Sequence, residues 1–184
     1  MPHLRALRES DAPDIPAAFG DPGMARQGTV RDASQAQEYV RRHLADDLVA
    51  VAVCDDADAL VGLVALQVDR DNLVGWFSYW MRADHRGRGR TSRAAATVAA
   101  WALTDGGLER LELGHRANNP ASGAVARAAG FVPEGVERAR FLVDGERIDV
   151  LTYGRLRSDP TPATEPLLFA PVRPACTSTG SGSR

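Results

Sequence analysis

One short segment in the middle of the chain limits the folds that the sequence can adopt. A β-strand pattern ends near Met81, a helix pattern begins within ten residues of it, and the turn between them alternates arginine with glycine. The turn reads Arg86-Gly87-Arg88-Gly89-Arg90. Glycine lets the backbone approach a ligand closely, and the N–H groups at a helix start attract an anion. The sequence therefore predicts an anion-binding turn between a strand and a helix, with arginine side chains to neutralise charge.

Three other interpretations of this turn are weaker. A dinucleotide-binding fingerprint requires a third glycine at position 92, which is serine, and it follows the first strand of a βαβ unit. A Walker phosphate loop requires a lysine, and the chain has none. A turn that only faced solvent would hold several arginines at the positive end of a helix without an anion. A phosphate-bearing ligand is therefore the better interpretation.

The patterns around the turn predict an α/β fold in the order βααβββαβαββ. Residues 48–54, 60–69 and 73–81 are apolar and rich in β-branched or aromatic side chains, and short aspartate-rich turns separate them. Such short connections are typical of an antiparallel meander. A first strand near Leu4 and a final hairpin at Asp144-Gly145 complete a mixed, mostly antiparallel sheet of about six or seven strands.

Two helices follow the arginine turn. The first covers residues 89–104 and presents one apolar face, formed by Ala95, Val98, Ala99 and Ala102. The second begins with Asn119 as its N-cap and Pro120 in its first turn. We expect both helices to flank the central sheet.

Composition excludes several classes of function. The net charge of −2 and the pI of about 6.1 provide no general basic field for nucleic acid. Two cysteines exclude a disulfide framework and a paired-cysteine metal site, so we predict no metal. The longest apolar run, residues 48–54, is far shorter than the ~20 residues that cross a bilayer, and the start lacks a signal-peptide pattern. The sequence predicts a cytoplasmic protein with no membrane partner.

Residues 158–184 differ in composition from the rest of the chain. Proline, threonine and serine dominate them, and their apolar area is too small to offset the entropy of ordering. We predict one domain over residues 1–157, followed by a disordered tail. Its apolar patch at 167–169 leaves docking onto the domain as an alternative.

Several motifs together resemble the GCN5-related N-acetyltransferase (GNAT) family, and within it the RimJ/RimL-like members. Residues 86–91 resemble the R/QxxGxG/A motif, which holds the coenzyme A pyrophosphate in that family. Residues 78–81 are similar to the preceding GYW-apolar strand, 119–122 to an NxxS segment, 130–135 to a GFxxEG stretch, and 147–149 to the final-strand pattern. The joint spacing over residues 3–157 is specific, although each motif alone is weak.

The resemblance implies that acetyl-CoA binds as a cosubstrate where the fourth and fifth strands splay apart. Pantetheine is expected to pair with backbone near the end of the fourth strand, where an N–H polarises the thioester carbonyl. Thr91 departs from the family's usual glycine or alanine. The residues expected to contact the coenzyme are Met81, Arg82, Ala83, Arg86, Gly87, Arg88, Gly89, Arg90, Thr91, Ser92 and Asn119.

The resemblance also suggests a donor for the departing thiolate. Many family members use a tyrosine on the last helix, and the corresponding position here is Ala126. RimJ/RimL-like members offer the NxxS serine instead, which places the donor at Ser122. Its other interpretation is a residue that only hydrogen-bonds within the first helical turn. Likewise, Asn119 is either an N-cap alone or an N-cap that also contacts pantetheine.

The base that accepts the amine's proton is less well marked. RimL-like relatives offer a glutamate, but the corresponding position here is Phe141. His115, at the end of the fifth strand, is our candidate. Glu134, Asp149 and a chain of water molecules remain alternatives.

These features predict an N-acetyltransferase that moves an acetyl group onto a primary amine, either a protein N-terminus or a small molecule, by direct attack. The segment 19–30 is expected to shape the acceptor pocket, with Asp21 available for an ammonium group. The missing tyrosine and glutamate leave a non-catalytic coenzyme-binding or protein-interaction module as the alternative. We expect no nucleic-acid partner, and a homodimer is left open.

Overall fold

The structure, a computed structural model, describes residues 1–24 and 30–170. Four α-helices and eight β-strands are present there, with short 3-10 turns at 9–14, 22–24 and 83–85. The elements are β1 (His3–Ala6), α1 (Ile15–Phe19), α2 (Ala33–His43), β2 (Leu48–Cys54), β3 (Leu60–Asp69), β4 (Val74–Met81), α3 (Arg90–Leu103), β5 (Arg110–Arg116), α4 (Pro120–Ala128), β6 (Val132–Val143), β7 (Glu146–Leu156) and β8 (Leu168–Phe169). Within the described ranges, no helix is long and apolar enough to cross a membrane.

The eight strands form one mixed sheet in the order β6-β7-β5-β4-β3-β2-β1-β8. Only the β4–β5 and β1–β8 pairs are parallel, so the predicted mostly antiparallel α/β fold and the order of its elements are confirmed. The predicted strand count was too low by one, because β8 forms from the segment predicted to be tail. The sequence pattern predicts the first strand of the final hairpin over residues 136–143, but β6 begins four residues earlier, at Val132, because an edge strand tolerates Pro133.

Helices cover both faces of the sheet. On one face α3 and α4 pack over a core that includes the predicted apolar face of α3 and the buried Phe77 of β4. On the other face α1 and α2 pack over a second core with Trp80, whose Nε1 donates to the Tyr39 hydroxyl at 2.9 Å. Asp32 is the N-cap of α2 and accepts from the Gln35 N–H at 2.8 Å.

β4 and β5 pair over only three residues before they separate. Val74–Trp76 face Arg110–Glu112 in parallel register, and both strands then continue without a mutual ladder, β4 to Met81 and β5 to Arg116. Each strand is held on its other side by an antiparallel neighbour, β3 or β7. The separation leaves a V-shaped opening in the middle of the sheet, as the resemblance implied.

Residues 158–170 pass the end of α4, where the Thr164 hydroxyl donates to the Ala128 carbonyl at 2.6 Å, and then follow α3 to the edge of β1. This corrects the prediction of disorder for this part of the tail. Leu167 is buried, its N–H donates to the Thr97 hydroxyl at 3.0 Å, and Phe169 packs edge-on against Trp101. β8 then pairs with β1, which would otherwise be an open edge strand. Composition did not indicate this, because the partners are distant in sequence. Residues 171–184 lie outside the described residues.

Removal of residues 158–170 should destabilise the domain. A chain that ends at Arg157 exposes Trp101 and loses the buried Leu167, and burial of one leucine side chain is worth about 2 kcal/mol. We therefore expect its free energy of unfolding in urea to be at least about 2 kcal/mol lower than that of a chain ending at Ala170. Equal stability of these two chains would contradict the packing of residues 158–170 on α3 and α4.

Candidate active site

The arginine–glycine turn leads directly into α3. Gly87 and Gly89 both have a left-handed backbone, with φ of 73° and 70°, which favours glycine on steric grounds. Gly89 is the N-cap of α3, and no side chain in the described structure caps this helix end. The first N–H groups of a 14-residue helix, which include those of Thr91 and Ser92, are therefore available to an anion.

The Arg86 side chain braces this turn against two neighbouring segments. Its Nε donates to the Met81 carbonyl at 2.8 Å, and its Nη1 lies 2.6 Å from the Asp21 carboxylate. The Gly23 N–H, together with Arg86, lowers the pKa of Asp21. Asp21 therefore stays ionised, and Arg86 ties the end of β4 to the segment that follows α1. The sequence had predicted that Arg86 neutralises the charge of the ligand directly. It had not predicted this contact with Met81 and Asp21.

The other predicted arginines occupy different positions around the turn. Arg82 pairs with Asp84 at 2.8 Å, and Arg90 donates to His85 Nδ1 at 2.9 Å. The Arg88 side chain is exposed at the tip of the turn. Arg88 is thus well placed to meet an incoming anion from solvent, together with the backbone N–H groups of the turn.

Backbone groups at the end of β4 point into the V-shaped opening. The Arg82 N–H donates to the Val61 carbonyl of β3 at 2.9 Å, in the antiparallel register that pairs Met81 with Gly62. Hydrogen-bonding direction alternates along a strand, so the Met81 N–H faces the β5 side, where the ladder has ended. The Met81 carbonyl accepts a hydrogen bond from Arg86 Nε. Met81 N–H is therefore a backbone donor in the opening, near Ala83 and the turn.

α4 brings Ser122 to the same opening. Asn119 is the N-cap of α4, and its Oδ1 accepts from the Ser122 N–H at 3.2 Å. The Tyr79 hydroxyl of β4 lies 2.7 Å from the Ser122 carbonyl oxygen and 3.1 Å from Ser122 Oγ. The sequence placed Tyr79 in the strand that precedes the arginine turn. Its contact with Ser122 depends on how α4 crosses the sheet, so no local pattern indicated it.

The structure places His115 below α4 and inside the protein. Its Nδ1 lies 2.9 Å from the Arg116 carbonyl and its Nε2 lies 3.3 Å from the Tyr153 hydroxyl, and the ring stacks on Tyr153. A methyl group on Gly123 would meet Nε2 at 2.7 Å, so the helix backbone covers the ring. Because both nitrogens are engaged and the residue is buried, this geometry favours a packing role over that of a base.

The alternative carboxylates are also engaged elsewhere. Glu134 forms an ion pair with Arg110, which lowers the pKa of Glu134 and weakens it as a base. Asp149 accepts from the Ala139 N–H at 2.7 Å, where β6 departs from regular pairing with β7. Neither arrangement directs a free carboxylate into the opening, which favours water as the proton acceptor.

The described residues contain one cluster with metal-ligand chemistry, formed by His3, Cys54 and Asp58 at the β1 end of the sheet. Arg5 lies inside this cluster and donates to Asp58 at 2.7 Å. Burial raises the pKa of the Cys54 thiol to about 12, which keeps it protonated. A resident guanidinium and a neutral thiol are unfavourable for a cation, so we assign no metal to this cluster.

Comparisons of the sequence with known proteins agree with these features. A family model described as acetyltransferase (GNAT) domain matches residues 3–132. The ribosomal-protein-serine acetyltransferase of Escherichia coli (strain K12) is 32% identical over 101 residues, which are 54% of this chain and 56% of that protein. The chain thus spans about half the length of the curated relatives that it matches.

Solved structures show the same fold. A chimera of the spermidine N-acetyltransferase SpeG from Vibrio cholerae and hSSAT has a TM-score of 0.77 and 22% identity, and covers 85% of this chain and 96% of that chain. The ribosomal α-N-protein acetyltransferase RimL in complex with coenzyme A has a TM-score of 0.74 and 20% identity, with coverages of 84% and 93%. The family model covers most of the sequence, and the chain therefore belongs to the GNAT acetyltransferase family, as its motifs predicted.

Proposed function

We propose that this protein transfers an acetyl group from acetyl-CoA to a primary amine by direct attack of the amine. The observation that carries the proposal is the V-shaped opening between β4 and β5, which adjoins both the glycine–arginine turn at the start of α3 and the Ser122 hydroxyl on α4. An anion site, an unpaired strand edge and a hydroxyl donor thus surround one opening. A thioester attached to a pyrophosphate-bearing carrier requires this combination.

In this proposal, different residues around the V-shaped opening bind different parts of acetyl-CoA. N–H groups from Gly87 to Ser92 hold the pyrophosphate, and Arg88 adds charge from the solvent side. The unpaired edge of β4 and the Asn119 side chain hold the pantetheine. The Met81 N–H donates to the acetyl carbonyl oxygen and stabilises the charge that develops on it during attack. When bound, acetyl-CoA supplies the activated acyl group, and the protein supplies its position.

Protons balance in this scheme without a metal or a charged base. The neutral amine loses one proton when the C–N bond forms, and the sulphur gains one after the C–S bond breaks. Ser122 donates a hydrogen bond to the departing sulphur, and water carries the proton from the nitrogen to the thiolate, which leaves as the thiol. The buried position of His115 and the ion pair of Glu134 support water in this role.

The acceptor is proposed to approach from the face of the sheet opposite α3 and α4. On that face Trp76 is 49% exposed at the point where β4 and β5 separate, and Ser78 next to it is exposed. An aromatic ring suits the aliphatic or cationic part of an amine. A protein N-terminus and a polyamine both fit, and solved structures of the same fold are named as an α-N-protein acetyltransferase and a spermidine N-acetyltransferase. Residues 25–29 of the segment expected to shape this pocket lie outside the described residues.

The proposal is tested by calorimetric titration with acetyl-CoA and coenzyme A, followed by an assay of thiol release with a panel of amines. The panel contains spermidine and short peptides with serine, alanine or methionine at the N-terminus. We expect micromolar binding of acetyl-CoA and thiol release that requires one class of amine. Binding without amine-dependent release would favour the non-catalytic coenzyme-binding module, and no binding would overturn the proposal.

A further inference from the structure

We propose that Tyr79 is a positioning residue that orients the Ser122 hydroxyl toward the departing sulphur. This inference rests on the proposed acetyl transfer and adds a residue to it. Tyr79 lies on the β4 face that also carries Phe77 and Met81, and its ring meets Phe77 edge-on at 6.3 Å. From there its hydroxyl crosses to α4 and contacts two oxygens of Ser122. The contact therefore joins β4 to α4 at the opening.

The distances indicate which atom donates in the free protein. The Tyr79 hydroxyl has one hydrogen, and its shorter contact, 2.7 Å, is to the Ser122 carbonyl, which can only accept. The longer contact, 3.1 Å, leaves the serine hydroxyl to donate to the tyrosine oxygen. In this arrangement the Ser122 O–H is held at a defined rotamer beside the V-shaped opening and is not free to turn away into solvent.

The arrangement can change when negative charge develops on sulphur. The Ser122 O–H then turns to the sulphur, and its Oγ is left with a lone pair toward Tyr79. The Tyr79 O–H moves from the Ser122 carbonyl to this Oγ. The carbonyl keeps the hydrogen bond that it accepts within α4 from the N–H four residues later. A hydrogen bond that Oγ accepts strengthens the one that it donates. Tyr79 keeps its own proton throughout, so no further proton acceptor is needed.

Burial supports a neutral Tyr79 at working pH. The hydroxyl lies between the sheet and α4, and this burial raises the pKa of Tyr79 to about 12 despite the opposing effect of its hydrogen bond to Ser122. A phenol with this pKa remains a hydrogen-bond donor through the neutral and moderately alkaline range, in which an amine substrate becomes partly neutral. The contribution of Tyr79 should therefore not titrate between neutral and moderately alkaline pH.

The matched control is another buried tyrosine on the opposite face of the sheet. The Tyr39 hydroxyl accepts from Trp80 Nε1 at 2.9 Å, and burial raises its pKa to about 12 as well. Tyr39→Phe removes a buried, hydrogen-bonded hydroxyl that does not contact Ser122. A general cost of losing such a group would appear in both variants, whereas an effect on the orientation of Ser122 would appear only in Tyr79→Phe.

The test is a double-mutant cycle of Tyr79→Phe and Ser122→Ala, with kcat and KM measured for acetyl-CoA and the amine found in the panel. We expect Tyr79→Phe to lower kcat by about fivefold to tenfold, as loss of one hydrogen bond predicts, and to leave KM for acetyl-CoA within about twofold. In the Ser122→Ala background the same change should alter kcat by less than about twofold. Tyr39→Phe should leave kcat unchanged in either background.

Each other outcome has a definite meaning. An equal loss of kcat in both backgrounds would show that Tyr79 acts without Ser122, and unchanged kcat in Tyr79→Phe would show that it does not act at all; either result overturns the inference. A fall in melting temperature larger than that of Tyr39→Phe, with kcat lost in proportion to unfolded protein, would assign Tyr79 to packing alone. A wild-type protein without amine-dependent thiol release would refute the proposed function instead.

Discussion

Gly89→Glu should lower the affinity for acetyl-CoA by roughly 100-fold or more while the protein remains folded. Gly89 is the N-cap of α3 with φ of 70°, where a side chain costs about 1–2 kcal/mol. We expect the turn of the free variant to relax to another backbone conformation, so coenzyme binding has to restore the left-handed one and its cost is subtracted from the binding free energy. A carboxylate at this position also competes with the pyrophosphate for the N–H groups of the helix start, worth up to about 2 kcal/mol more. The sum, about 3 kcal/mol, corresponds to a loss of roughly 100-fold in the calorimetric Kd.

The hairpin between β6 and β7 offers a matched control. Gly145 also has positive φ, 86°, and like Gly89 it has no neighbouring atom within 4 Å of an added Cβ. Gly145→Glu therefore introduces the same strain and charge away from the proposed coenzyme site, and its Kd should equal that of the wild type. Gly89→Ala separates strain from charge and should fall between the two. Equal Kd values for all variants would remove the turn from the coenzyme site.

Ser122→Ala should lower kcat by about 100-fold and leave the calorimetric Kd of acetyl-CoA within about twofold, since the hydroxyl acts on a charge that exists only after attack. The N-cap bond of α4 runs from the Ser122 N–H to Asn119, so alanine keeps it. The fold of the helix start should therefore survive the substitution.

Ser34→Ala is the control for this substitution. Ser34 also lies in the first turn of a helix, just after the N-cap Asp32 of α2, but its side chain is exposed on the far side of the helix from the sheet. We expect its kcat and Kd to match those of the wild type. Loss of coenzyme binding together with turnover in Ser122→Ala would mean that Ser122 holds the pantetheine and has no separate role in the departure of the thiolate.

Local sequence patterns predicted the positions of most helices and strands along the chain. Alternating apolar residues, aspartate-rich turns and the Asp144-Gly145 dipeptide predicted β2 to β7, and the 3.6-residue period predicted the buried face of α3. The Arg86–Arg90 turn predicted an anion site at a helix start, and its spacing from the Asn119 and Gly130 motifs indicated the family that the family model confirms. These signals are local, because backbone preference and side-chain period act within a few residues.

Contacts between distant segments were decided only by the tertiary structure. The docking of Leu167 and Phe169 on α3, the bracing of Arg86 by Asp21, the stacking of His115 on Tyr153 and the contact of Tyr79 with Ser122 all join residues far apart in sequence. Each depends on the angle and register at which one element crosses another, and packing of whole faces sets these quantities. The sequence by itself thus determined the elements, the turn and the family, whereas the folded chain decided which side chains meet at the V-shaped opening, because complementary packing is a property of paired surfaces and not of either segment alone.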